Sequence, residues 1–321
     1  LNSQAINSTL NDRISAFAKA GLQLSHYLEK DTSLPTNVVE KIDAALHLAK
    51  IKNSWFDEDN LNHAVRQWSQ ALTIDSLSQW MAPYHISNIT SKTIGIITAG
   101  NIPLVGFHDV LSVILVGHHA LIKNSSNDDV LIRLILQLAS TALPELENSY
   151  AYVDGKLENY DAVIATGSNN TARYFEYYFG NVPHIIRKNR NSVAVISGDE
   201  SIEEMEALSD DIFRYYGLGC RSVSHIKVPV GYDFDRFFNG MYKQRHLIKN
   251  EKYLNNYDYN KAVYLMSDFE LLDNEFFLIK EEKDSYTSPI ASLGYAYDTQ
   301  QPQLNDYADG VDTVNFLLTL S

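Results

Sequence analysis

Thr93-Ile94-Gly95-Ile96-Ile97-Thr98-Ala99-Gly100-Asn101-Ile102-Pro103 is the stretch on which the fold turns. Its opening residues are apolar or β-branched almost without a break, as a strand needs when both faces are covered. Gly100 and Asn101 end that strand. Pro103 has its φ already set and no N–H to leave unpaired, so it predicts the first turn of a helix running to Val116. A strand that feeds a helix through so short a turn opens a parallel α/β unit.

The alternation continues outward from this point. Ala120–Lys123 reads as a strand stopped by Asn124-Ser125-Ser126-Asn127-Asp128, and Asp129–Ala142 as a helix. Strands over 151–153 and 162–165, a helix over 169–178 and a strand over 183–186 complete a first set. A second set starts near Ser192, with strands over 193–196, 223–230, 276–279 and 291–297 and helices over 203–216 and 234–247. The polar run Arg187-Lys188-Asn189-Arg190-Asn191 separates the two, because apolar periodicity lapses there. The expected domains are therefore 1–190 and 191–321. Before the first strand, Leu10, Ile14, Phe17 and Leu24 recur at helical spacing, and 36–50 and 59–72 repeat the pattern. These residues predict a helical lead-in that packs on the sheet.

Bulk properties narrow the function. With 26 basic against 40 acidic residues the net charge is -14, which excludes a general nucleic-acid binder. The longest apolar run, Val110–Val116, is too short to span a bilayer, and no basic-then-apolar leader is visible. A single cysteine rules out an intramolecular disulfide and fits a cytoplasmic setting. The pair His118-His119 has no third ligand at metal spacing, so no metal is expected.

That one thiol, Cys220, sits in Tyr215-Tyr216-Gly217-Leu218-Gly219-Cys220-Arg221-Ser222, just before a Val-rich strand. Two glycines ahead of it let the backbone bend and leave the sulfur uncovered. A covalent enzyme places its nucleophile in such a junction. The alternative is a free cysteine buried as a small hydrophobe.

Four segments fall in order: Gly100-Asn101-Ile102-Pro103, Lys123-Asn124-Ser125-Ser126, Thr166-Gly167-Ser168 and Gly217-Leu218-Gly219-Cys220. In this order, and at strand ends, they resemble the aldehyde dehydrogenase superfamily, and most closely its LuxC-type acyl-CoA (fatty acyl) reductases. The resemblance implies an α/β, aldehyde-dehydrogenase-like fold. It has two Rossmann-like α/β domains behind the helical lead-in, the first binding a dinucleotide and the second bearing the nucleophile. It implies an acyl-CoA reductase that turns a long-chain acyl-CoA into the aldehyde. Cys220 would form the acyl-thioester, and the Asn101 amide with the Cys220 backbone N–H would bind the oxyanion. The alternative role for Asn101 is a helix N-cap. Lys123, Ser125 and Ser126 would hold the cofactor's adenosine ribose, and Gly167 and Ser168 its pyrophosphate. Ser126 stands where the superfamily often has a glutamate that repels a 2′-phosphate, which favours NADPH over NADH. The family often works beside an acyl-protein synthetase. The superfamily oligomerises through its second domain, which is short here.

One departure bears on the reaction. Aldehyde oxidisers of the superfamily carry a glutamate that activates water against the thioester, and Arg187 stands at that place. Arginine stays protonated and cannot be that base. The thioester should therefore persist for reduction. Arg187, Lys188, Arg190 and Arg221 could offer positive charge to the polyanionic substrates, or simply be solvated. Arg221 could also lower the thiol pKa. Phe107, Phe213, Tyr215 and Tyr216 could line an acyl pocket or be ordinary core, and His108 and His225 could move protons or be structural. Two readings compete with reduction: a cofactor-independent acyltransferase or thioesterase using Cys220, and a catalytically lapsed assembly subunit.

Overall fold

The computed structural model describes residues 8–87, 89–267, 269–298 and 312–320. The lead-in is four helices, α1 (Leu10–Leu28), α2 (Thr36–Lys52), α3 (Glu58–Ala71) and α4 (Ile74–Met81). Three of them begin where a short polar side chain accepts an orphan amide. Thr9 accepts from Asp12 in a reciprocal capping box, Asp57 from Asn60 and Thr73 from Ser76.

Then follow β1 (Thr93–Ile97), α5 (Phe107–Val116), β2 (His119–Lys123), α6 (Leu131–Ala142), β3 (Tyr150–Tyr152), β4 (Ala162–Thr166), α7 (Asn169–Phe179) and β5 (His184–Arg187). The five strands make one parallel sheet in the order β3-β2-β1-β4-β5. Successive strands step outward from β1 on both sides, so the order reverses between β1 and β4. The loops leaving their carboxyl ends flank the position where ligands usually bind in such sheets. Strand alternation builds two cores. Ile94, Ile96, Ile122 and Ile164 join Phe17 and Leu24 of α1 and the apolar faces of α5 and α6. On the other face Leu121, Val163 and Ala165 pack with Leu157 and Phe179 of α7.

The second sheet is built from β6 (Ser192–Val195), β7 (Val223–Val228), β8 (Leu271–Asp273), β9 (Leu278–Glu281) and β10 (Ser292–Tyr297), with α8 (Ile202–Phe213), α9 (Phe234–Met241) and α10 (Glu251–Leu265). Its order is β6-β7-β10-β9-β8, parallel except where β8 meets β9. Ile226, Val228, Leu278, Ile279 and Leu293 are fully buried along it. A last helix, α11 (Thr313–Leu318), follows.

The chain divides into two units, Leu1–Lys188 with Gly310–Ser321, and Asn189–Asp309. The expected second domain ran to 321, but α11 folds back into the first unit. Val314 and Leu317 of α11 are buried in the first unit's core. Asp312 accepts the Tyr84 hydroxyl proton at 2.6 Å, and Leu317 O accepts from His118 Nε2 at 3.0 Å. Since His118 Nδ1 accepts the Lys92 N–H, its proton sits on Nε2.

Several elements differ from expectation. The helix after β1 begins at Phe107, not Pro103, because Leu104 takes a left-handed φ of 61°. The helix expected through Tyr216 stops at Phe213, where Tyr215 and Tyr216 also turn left-handed. Helix α10 was not foreseen. Its buried face is Tyr253, Tyr257, Asn260 and Tyr264, polar-tipped side chains that give little apolar periodicity. Among the described residues no helix is long and apolar enough to cross a membrane.

Candidate active site

The turn after β1 is pinned by its neighbours. Thr98 N–H donates to Lys123 O at the end of β2, and Thr98 Oγ1 accepts the Ser125 N–H at 3.1 Å. Asn53, closing α2, donates its amide to Gly100 O. A Cβ on Gly100 would lie 2.6 Å from Ser125 Oγ and 2.8 Å from Ser125 Cβ, so only glycine lets the two loops come this close. Farther along, Leu104 N–H donates to Asp128 Oδ2 at 2.8 Å. Asp128 is buried, and burial pushes its carboxyl up to about 6 against the pull of the Leu104 and Leu131 amides. Asn101 lies inside this turn, half-buried. It is not a helix N-cap, since that position is Gly106, five residues on and without a side-chain cap.

The residues expected to hold the dinucleotide lie at the carboxyl ends of β2 and β4. Lys123 donates from Nζ to Gly155 O at 2.8 Å, which ties it to the loop after β3. Ser125 Oγ accepts from the Asn127 N–H, while Ser126 is exposed. Gly167 gives its N–H to Arg187 O, and exposed Ser168 caps α7 by accepting the Thr171 N–H at 3.2 Å. An exposed hydroxyl, an ammonium at a strand end and a capped helix start beside the topological switch fit a phosphate-bearing dinucleotide in their chemistry.

Arg187 has a different occupation from the one expected. Its Nη1 donates to both carboxylate oxygens of Asp109 on α5 at 2.8 Å, and Nη2 donates to Thr313 Oγ1 at 2.7 Å. The pair is mostly buried, with side-chain exposures of 20% and 8%. Its charge is therefore committed inside the first unit and is not free for an anionic substrate. Lys188 likewise pairs with Glu176 at 2.7 Å.

In the second unit Cys220 is exposed, which removes the buried-hydrophobe alternative. The approach to it is unusual backbone. Tyr215 (φ 56°), Tyr216 (φ 58°) and Gly217 (φ 72°) are successively left-handed. For a non-glycine residue this costs roughly 1–2 kcal/mol. Tyr216 offsets that cost by burying its ring against Tyr253, 5.9 Å away. A Cβ at Gly217 would meet Ile212 O at 3.2 Å. Leu218 N–H donates to Tyr215 O and Ser222 N–H to Gly219 O, which hold the turn closed around the sulfur's backbone. Arg221 beside it is exposed.

Of the aromatic residues expected at an acyl pocket, Phe107, Phe213 and Tyr216 are core instead, and Tyr215 is half-buried. Phe107 is fully buried between Phe17 and Trp68, with ring centroids at 6.2 and 4.7 Å. Phe213 packs on Phe276 and Phe277, and Tyr216 on Tyr253. Their hydrophobicity found partners within their own units. His108 stacks on Trp80 at the surface. His225 is buried on β7, and burial drives its imidazole down to about 4, so it is neutral. Sequence reasoning missed Asp109 and Asp128. Nothing in the local sequence sets them apart, and only burial against a guanidinium and a backbone amide distinguishes them. Among the described residues no cluster of three His, Cys, Asp or Glu is placed to hold a metal.

A family model described as "Acyl-CoA reductase (LuxC)" matches residues 10–233, a span that contains all four segments and Cys220. A search of curated proteins returned no match. Solved structures similar to this one include an NAD-dependent benzaldehyde dehydrogenase from Corynebacterium glutamicum. It shares 15% identity at a TM-score of 0.63, over 91% of this chain and 72% of that one. A betaine aldehyde dehydrogenase from Staphylococcus aureus in complex with NAD+ aligns at 12% identity and a TM-score of 0.65, over 92% and 68%. An NAD-dependent aldehyde dehydrogenase from Sinorhizobium meliloti aligns at 14% and 0.64, over 92% and 67%. At such identities the likeness is one of fold, and the fold is that of aldehyde dehydrogenases.

Proposed function

The chain belongs to the LuxC acyl-CoA reductase family, oxidoreductases that act on the acyl or aldehyde carbonyl, and we propose that it reduces a long-chain acyl-CoA to the aldehyde with NADPH through a thioester on Cys220. One observation carries the reading. The family match runs through the chain's single cysteine, and that thiol is exposed three residues after a run of left-handed backbone, Tyr215 to Gly217. Strain kept at one position is a mark of sites where geometry matters to mechanism.

In this reading the Cys220 thiolate attacks the acyl carbonyl. A C–S bond to the enzyme forms, the C–S bond to CoA breaks, and CoA leaves as thiolate. Thiol and thioester are close in energy, so the exchange needs little acid assistance. The resemblance gives the Asn101 amide and the Cys220 N–H the role of donors to the oxyanion at each tetrahedral stage. A nicotinamide cofactor, when bound, supplies the hydride that brings the acyl group to the aldehyde level. Lys123, Ser125, Ser126, Gly167 and Ser168 are the residues that would hold it, and Ser126 in place of a carboxylate favours a 2′-phosphate. The thiohemiacetal on Cys220 then collapses, which frees the aldehyde and restores the thiolate. Arg187, paired with Asp109, offers no base to activate water, so hydrolysis does not compete. Exposed Arg221, next to Cys220, would meet the phosphates of CoA.

The test is intact-protein mass spectrometry after incubation with a long-chain acyl-CoA. The expected result is one acyl adduct, absent from Cys220→Ala and discharged as aldehyde when NADPH is added. An adduct that NADPH leaves in place, together with no NADPH-dependent rise in melting temperature, would support the transferase or thioesterase reading. No adduct at all would support the lapsed subunit.

A further inference from the structure

The turn that carries Asn101 places a leucine where a glycine would be easier. Leu104 has φ 61°, a region that L-residues with a branched side chain avoid. Its side chain is 2% exposed, so the residue cannot swing outward to relieve the backbone. Leu104 lies just ahead of α5, so its N–H has no helical acceptor, and a buried amide without a partner is costly. Asp128 supplies that partner. Its Oδ2 accepts the Leu104 N–H at 2.8 Å from the loop after β2, 24 residues along the chain. Asp128 is 3% exposed and is itself held by its N–H on Ser125 O at 3.1 Å. On the far side of the kink, Leu104 O accepts the Phe107 N–H at 3.0 Å and so starts α5.

Thr98, Gly100 and Asn53 fasten the turn before Asn101. Asp128 fastens it after Asn101, with buried Pro103 stiffening the residues between. A hydrogen bond to an ionised acceptor is about twice as strong as a neutral one, which suits a bond that must hold a disfavoured φ. We propose that Asp128 is a positioning residue for the reaction: by gripping the Leu104 amide it sets the backbone from which Asn101 presents its carboxamide to the oxyanion. The proposal rests on the oxyanion role given to Asn101 above.

The test is a mutant cycle on the full chain, read as NADPH-dependent reduction of a long-chain acyl-CoA, with folding followed by circular dichroism. Asp128→Ala is expected to lower kcat about 10- to 100-fold with KM for the acyl-CoA little changed, the signature of a misplaced transition-state contact. Asp128→Asn keeps an oxygen that accepts the Leu104 N–H, and should hold kcat within about threefold of wild type. The double variant Asn101→Ala/Asp128→Ala should lose no more than Asn101→Ala alone, because both act on one contact. Additive losses would overturn the proposal, as would full kcat in folded Asp128→Ala. If Asp128→Ala does not fold, Asp128→Asn decides: a folded variant with kcat lowered more than about tenfold overturns it. Full kcat in Asn101→Ala removes the oxyanion reading and the proposal with it. Loss in Asn101→Ala without loss in Asp128→Ala removes the proposal alone. A wild-type chain without reductase activity defeats both.

Discussion

At the scale of single residues, Arg187 has two roles that pull a mutational test in different directions. If Arg187 stands, as the resemblance implies, where aldehyde oxidisers carry a hydrolytic glutamate, then Arg187→Glu should divert the acyl-enzyme towards free acid. As the bidentate partner of Asp109, it cannot be changed so freely. Reversing its charge would set two carboxylates at hydrogen-bond distance in a mostly buried place. Breaking such a pair by removing one member costs about 3–5 kcal/mol. The expected outcome is that Arg187→Glu is destabilised by about that amount in urea unfolding, and that adding Asp109→Asn recovers most of it. The acid-to-aldehyde ratio is then read in the double variant. A single variant as stable as wild type would show that the Asp109 pair contributes little. A double variant making no extra acid would show that this position is not the hydrolytic one. The pair could not be foreseen, because Asp109 and Arg187 lie 78 residues apart and nothing local links them. The exposure of the Cys220 thiol was legible for the opposite reason: one cysteine between glycines and a strand is a local pattern.

At the scale of elements, the strands and most helices follow directly from their residues. β1 and β4 are unbroken apolar or β-branched runs, and a strand covered on both faces has no other way to satisfy its side chains. Capping residues mark where α1, α3, α4 and α8 begin. What failed were the junctions. Pro103 and Tyr216 both suggest helix, yet left-handed residues beside them end or delay it, and those conformations are imposed by partners elsewhere in the unit. The C-terminal helix α11 is the other case. Six residues carry too little pattern to say where they dock. Its docking rests on Leu317, wholly buried, and on three polar links through Tyr84, His118 and Arg187. Leu317→Ala should therefore lower stability by about 2–4 kcal/mol, with thermal melting as the check. A loss below about 0.5 kcal/mol, the size of an ordinary surface change, would mean that α11 is not a structural part of the first unit.

At the scale of the whole molecule, stability should depend on pH through buried histidines. Burial lowers the imidazoles of His118 and His225, the latter to about 4. Their unfolded value is about 6.5. Between these limits the unfolded chain binds protons that the folded chain does not, so stability is complete above about pH 6.5 and falls as the pH drops towards 4. Asp128 works in the opposite sense. Its folded value of about 6 exceeds the unfolded one, so it adds stability on acidification. Two histidines outweigh one carboxyl, and the expected result is a net loss of urea stability between pH 7 and 5. His225→Phe, which keeps a ring against Tyr286, should flatten that slope. A slope unchanged in this variant would assign the pH dependence to other groups.

The residues by themselves determined the α/β class, the helical lead-in and the two sheets, and they marked the single thiol at its glycine-rich turn. Each of these is written in short-range pattern: apolar runs, helical spacing, glycine at a turn. Tertiary structure alone decided which side chains were spoken for. Arg187 gave its charge to Asp109, Phe107 and Tyr216 went to the core, α11 returned to the first unit, and Asp128 reached the Leu104 amide. These outcomes depend on which distant segments share a buried space, where an unpaired charge or amide is costly enough to select its partner.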